Sequence, residues 1–157
     1  MKHLSLLVVA VFLIAGCAQA SGPRAPIEAE IAKQYETPDG KSAIYIYRVE
    51  QVDGFKVFIK VILDGDQCSV GLGDFAKKIV ASGKHRIYAD NRAVRVTPAR
   101  KTLEVQPSTL YFLRLKWQDR KSLNEQSFIS VTLVDPDEAK QEILKLSLIE
   151  WIKLEQL

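Results

Sequence analysis

Cysteine and histidine are scarce, at two of each in 157 residues. So few sulfur and imidazole groups exclude a disulfide scaffold and leave no recognisable zinc-ligand spacing. Eight glycines and six prolines are far too few for a collagen-like repeat. Long hydrophobic runs are missing as well. The longest, Leu4–Ala15, is broken only by Ser5 and is too short to cross a bilayer of roughly 30 Å as a stable helix, which excludes a polytopic membrane protein. What remains is 47% hydrophobic and 26% charged, ordinary values for a folded domain with its own core.

The short run has another reading. Met1-Lys2-His3 is a basic start, the apolar stretch has the length of a signal-peptide core, and it ends in Leu13-Ile14-Ala15-Gly16-Cys17. This ending resembles the bacterial lipobox, in which a branched apolar residue and two small residues precede a cysteine. The resemblance implies cleavage between Gly16 and Cys17 and acyl chains, palmitate among them, on Cys17. The competing reading is a plain secretory signal cut after Ala18 or Ala20, with Cys17 lost. In Gram-negative lipoproteins an aspartate after the cysteine commonly signals retention in the inner membrane. Ala18 stands there, so the resemblance implies the outer membrane, with the protein facing the periplasm. Each buried CH₂ is worth about 0.8 kcal/mol, so several acyl chains anchor a protein without a transmembrane helix. The expected membrane contact is therefore lipid.

Residues 1–16 are thus expected to be signal, 17–40 a tether, 41–134 the β domain and 135–157 a C-terminal helix and tail. The tether has turn residues at both ends, Ser21-Gly22-Pro23 and Thr37-Pro38-Asp39-Gly40. Its stretch Pro26 to Lys33 could form two helical turns, too short to persist in isolation. From Lys41 the pattern turns to period two. Ala43 to Val49 is β-branched and aromatic; Phe55, Val57, Ile59, Val61 and Leu63 alternate with a mixed face, and Asp64-Gly65 then signals a hairpin. Further strands are expected at 77–81, 84–89, 94–97, 102–106, 110–118 and 128–134. Tyr111, Leu113, Leu115 and Trp117 share one face, with Ile129, Val131 and Leu133 pointing the same way. Seven or eight short strands without helical crossovers predict a mainly β chain, a small antiparallel β-sandwich or partly open barrel, with parallel pairing unexpected. Asp135-Pro136-Asp137-Glu138 reads as the start of a helix running to about Leu144. Beyond it, 144, 146 and 148 alternate like a strand, while 148, 151, 152 and 155 are spaced like a helix, and both readings stand.

The order Tyr45-Ile46-Tyr47-Arg48, Leu63-Asp64-Gly65, Val70-Gly71-Leu72, Gly83-Lys84-His85 and Tyr111-Phe112-Leu113-Arg114 resembles a family of bacterial outer-membrane lipoproteins with an uncharacterised β-sandwich domain. The likeness covers residues 41–148 and implies a sandwich with a closing helix; it carries no catalytic or binding residues. Ala81-Ser82-Gly83 departs from it, since a proline is expected before that glycine.

Reactive groups are few. With His3 in the signal, His85 is the histidine left, and its neighbours Lys84 and Arg86 disfavour the imidazolium of a Ser–His–Asp mechanism. Cys68, lacking an intramolecular partner, reads as a small apolar side chain. Asp64-Gly65-Asp66 has Phe75 where a calcium loop needs glutamate, and Gly71-Leu72-Gly73 lacks the rest of a phosphate cradle. Neither a metal nor a cofactor is expected. Nor is catalysis.

Charge is distributed unevenly. Over residues 84–121, Lys84, Arg86, Arg92, Arg95, Arg100, Lys101, Arg114, Lys116, Arg120 and Lys121 are opposed only by Asp90, Glu104 and Asp119. Arg92, Arg95, Arg114 and Lys116 are candidates for a face meeting an anionic polymer or an acidic envelope protein; otherwise these charges simply solvate the outer strand faces. The expected role is non-catalytic, as a binding or structural module of the envelope. The alternative is an enzyme inhibitor or secretion-apparatus accessory docking through the basic face. Nucleic acid is not expected as a partner of an exported chain.

Overall fold

The computed structural model describes residues 26–49, 57–91, 93–119 and 126–153. Cleavage site, Cys17 and Arg92 lie outside them. Two five-stranded sheets face each other without closing into a barrel, so the sandwich expected from the alternation is what forms.

The first sheet is built around β1 (Ser42–Arg48), flanked by β4 (Asp74–Val80) and β7 (Leu110–Gln118), with β8 (Phe128–Val134) and the two-residue β9 (Ser147–Leu148) at its edges. The second runs β10 (Ile152–Lys153), β3 (Asp66–Val70), β2 (Ile59–Leu63), β5 (Gly83–Asp90) and β6 (Ala99–Val105). Inward residues of both sheets form the main core, among them Ile44, Ile46, Ile59, Val61, Leu63, Ile87, Leu113 and Leu115. Trp117 and Ile129 join it as the alternation predicts, with Tyr111 and Val131 half-buried against it; Leu133 at the end of β8 is exposed.

Every residue of β1 is buried, because this strand is covered twice. Its even-numbered isoleucines face the second sheet. Ala43, Tyr45 and Tyr47 face outward into a separate apolar layer made with Phe75, Phe112 and two helices. A strand covered on both sides needs apolar residues at every position, and Ala43 to Tyr47 supplies them.

The helices are α1 (Pro26–Ala32) and α2 (Pro136–Ile143). Asp135 caps α2, its side chain accepting from the amides of Asp137 and Glu138, with Pro136 in the first turn. The expected tether is corrected here. Residues from Pro26 onward belong to the fold: Ala29 and Ala32 are buried, and the Tyr45 hydroxyl donates to the Ala32 carbonyl at 2.8 Å. Tertiary packing sustains a helix that its length alone would not.

Parallel pairing, unexpected from the sequence, joins two pairs of strands among the described residues. β1 runs parallel to β7, and β4 parallel to β9. The chain between β1 and β7 crosses over through the second sheet, so strands do the work that a helix does in a βαβ unit. Of the short strands expected, 94–97 is absent. Asn91 takes the amides of Ala93 and Val94 on its side-chain oxygen and curls the segment into a turn. Only Thr97 pairs, with Phe128, which stitches one flank of the sandwich. The tail resolves toward strand. It bonds to β4 through Ser147 and Ile149 and then crosses to β3 at Ile152.

Candidate functional site

The Asp64-Gly65 hairpin forms as its residues require, with both at positive φ (51° and 91°). It spends the chemistry near it. Asp64 accepts the Arg86 amide at 3.2 Å and meets Nδ1 of His85, whose Nε2 reaches the Ala81 carbonyl at 2.9 Å. Both ring nitrogens are therefore engaged in tying two turns together, and neither faces a nucleophile. Asp66 pairs with Lys78 at 2.7 Å. Gly71 packs so closely that a Cβ there would lie 2.8 Å from the Asp74 carboxylate and 3.0 Å from the Phe58 ring. The glycine thus serves the turn into β4. Cys68 is buried among apolar side chains, and burial pushes its thiol pKa well up. Among the described residues no three acidic, histidine or cysteine side chains gather as metal ligands would.

The candidate cationic residues are dispersed. Arg114 and Lys116 share one face of β7, whereas Arg95 is exposed on the loop between β5 and β6, in the other sheet. Arg114 is turned into α2, where one guanidinium nitrogen donates to Glu138 at 2.8 Å and to Glu142 at 2.6 Å. The Tyr47 hydroxyl donates to the other oxygen of Glu142 at 2.6 Å, and burial together with this bond raises its pKa. Arg114 thus holds α2 on the sheet instead of offering charge to a ligand. Replacing it with alanine removes two charge-assisted hydrogen bonds and leaves the half-buried Glu142 with Tyr47 alone, which should cost about 1–3 kcal/mol, read as an earlier denaturant midpoint at unchanged slope. Glu138→Gln, at the more exposed partner, should cost well under that.

What the fold assembles is a groove of about 430 Å³, within the range of sites that enclose small ligands or peptide side chains. Lys77 and Ile79 of β4 form its floor, Ile31 and Ala32 of α1 one wall, and Leu148, Ile149 and Trp151 of the tail the other. Glu28, Glu36 and Glu150 stand on the rim. Ile31 is 56% exposed and Ile79 40%, although Ala29 and Ala32 of α1 and Phe75, Ala76 and Val80 of β4 are buried. The Lys77 ammonium donates to the Glu36 carbonyl at 2.8 Å and lies 5.6 Å from the centre of the Tyr45 ring. Burial lowers its pKa, with Glu36 opposing the shift.

None of these lining residues stands out in the sequence as a site. The signals present were the apolar tail from Leu148 and Ile79 directly after two lysines; their meeting with α1 depends on the tertiary fold. No family model matches the sequence, and no similar curated protein is found. The resemblance to envelope lipoproteins therefore rests on the residues quoted for it.

Proposed function

We propose that this chain is a non-catalytic lipoprotein of the outer membrane, facing the periplasm and held there by acyl chains on Cys17, whose sandwich is a binding module. The lipobox-like ending Leu13 to Cys17 supports the anchor. The groove between α1, β4 and the tail carries the binding reading, because it leaves Ile31 and Ile79 exposed in a concave site. Placement in the family of lipoproteins with an uncharacterised sandwich domain belongs to the same proposal. Docking on an acidic partner through a basic face is less well supported, since Arg114 is already neutralised by α2.

The anchor is tested by Cys17→Ser. Expressed in a Gram-negative host, the parent chain should sediment with outer membranes, and the serine variant should move to the soluble periplasmic fraction. A variant that still sediments would refute the lipid anchor. Stable anchoring requires more than one acyl chain, so the parent should also carry a lipid mass on its N-terminal peptide.

A further inference from the structure

Four strands end the two sheets, and three of them carry the protection that a sheet edge ordinarily needs. β9 and β10 are two residues long, and β6 bears Arg100, Lys101 and Glu104. β8 has neither device. Its sequence, FISVTLV, contains no charge, no proline and no glycine, and is rich in β-branched and aromatic residues. On an edge, such a segment is a template for another strand.

The backbone shows which part of that template is open. In a strand, successive residues turn their amide and carbonyl to opposite sides. The Ile129 amide donates to the Thr97 carbonyl at 3.0 Å, away from β7, so Val131 and Leu133 direct their backbone groups outward as well. Thr97 closes the edge at its Phe128 end. Beyond that point the outward groups of Val131 and Leu133 have no partner among the described residues. Thr132 is exposed, and so is Leu133, at 49%.

This open stretch fits its own copy in one register. An antiparallel copy centred on Thr132 sets Val131 against Leu133 twice, and each such pair exchanges two backbone bonds. The four open groups of each chain are then satisfied. Centring on Val131 would set Leu133 against Ile129, whose amide Thr97 already holds. Centring on Leu133 would set Val131 against Asp135, the cap of α2, whose carbonyl accepts the Ala139 amide. In the register that remains, Thr132 falls opposite Thr132, and the exposed Leu133 side chain gains Val131 of the other copy. An uncharged segment also meets no like charge in its copy. The stretch is its own complement, which makes a second copy the occupant.

We propose that two copies of the chain join through β8, antiparallel about a twofold axis at Thr132, merging their five-stranded first sheets into one. Such a contact is isologous and closes on itself. It goes beyond the binding-module reading and does not use the groove. An interface confined to one strand has the size of transient contacts, below about 1,200 Å². Confinement of both copies to one membrane plane by the proposed anchor would raise their effective concentration.

The test uses the full chain carrying Cys17→Ser, in which the buried Cys68 is the one other thiol. Sedimentation equilibrium should show reversible dimers as the concentration rises to about 1 mM. Amide exchange at Val131 and Leu133 should slow as they form. Cysteine pairing then reads the register. In the twofold dimer, position 132 lies about 4.5 Å from its copy between Cα atoms, within disulfide reach. Position 130 is displaced from its copy by roughly 14 Å along the strand, beyond reach. Thr132→Cys should therefore oxidise to a linked dimer at least about tenfold faster than Ser130→Cys. Thr132→Lys and Thr132→Glu should each weaken the dimer, and an equimolar mixture of the two should restore it. If a charged variant does not fold, the cysteine pair decides alone.

A chain that stays monomeric at about 1 mM, or oxidation at position 132 no faster than at 130, would overturn the proposal. So would charged variants that stay apart when mixed, or slow exchange at Val131 and Leu133 in the dilute monomer. None of these outcomes bears on the groove or on the anchor at Cys17.

Discussion

Tyr45→Ala should remove about 3–5 kcal/mol of stability, the range for deleting a large buried side chain, and so consume much of the roughly 5–15 kcal/mol that holds a domain folded. The Tyr45 ring is completely buried on the outer face of β1. It stacks on Phe112 with centroids 5.0 Å apart, and tilts against Tyr35 at 5.3 Å. Truncation therefore opens a void beneath α1 that the sheet, fixed by its ladders, cannot close. Tyr45→Phe separates the ring from the hydroxyl. It keeps the stack and loses the bond to the Ala32 carbonyl, so it should cost about 1 kcal/mol. Its effect should be local, with exchange quickening in α1 while the sheet amides are unchanged. Denaturant titration of both variants checks the order. A phenylalanine variant as unstable as the alanine one would mean that the hydroxyl, and not the aromatic stack, holds the helix layer in place.

That layer is also where the sequence was least legible. The sandwich could be read from period-two alternation because one side of a half-buried strand is selected for burial and the other for water, as in Ile59, Val61 and Leu63. The Asp64-Gly65 hairpin was legible for a similar local reason, since few residue pairs tolerate two successive positive φ angles. Asp135 and Pro136 marked the start of α2 by capping chemistry confined to four residues. Ala43 to Tyr47 carried a further message, that a strand apolar at every position is covered on both faces. The covering elements are short, however, and one sits in what reads as a linker. Parallel pairing of β1 with β7 was hidden because nothing local distinguishes a strand that returns by way of a second sheet. The groove was hidden for the same reason, as its walls come from residues 28–38, 77–79 and 148–151. The cationic cluster failed in the opposite direction. Charges adjacent in sequence tallies were separated between two sheets, and Arg114 found its counter-ions on α2.

Cys68 gives the prediction with the widest dynamic range. Its side chain is 3% exposed, on β3 between the two sheets. Burial raises its pKa, with only a small opposing pull from Lys78. The thiolate is the reactive form, so the folded state suppresses modification twice, by excluding the reagent and by disfavouring ionisation. Labelling must then wait for an opening that exposes β3. If that opening is global, even the low end of ordinary domain stability makes it rarer than about one part in 10³. In the Cys17→Ser chain, where Cys68 is the one remaining thiol, an aromatic disulfide reagent at pH 8 should react at least about 10³-fold more slowly than in denaturant. Raising the pH should accelerate the denatured control through thiol ionisation near pH 8.5. The folded chain should accelerate in the same proportion, because its labelling rate is the opening equilibrium constant multiplied by the rate of the exposed thiol. Fast labelling of the folded chain would show that β3 and β10 detach from the second sheet independently of the core. Since β10 is the far end of the same tail that walls the groove, that result would make the tail the movable wall, and a ligand seated in the groove should then slow the labelling of Cys68.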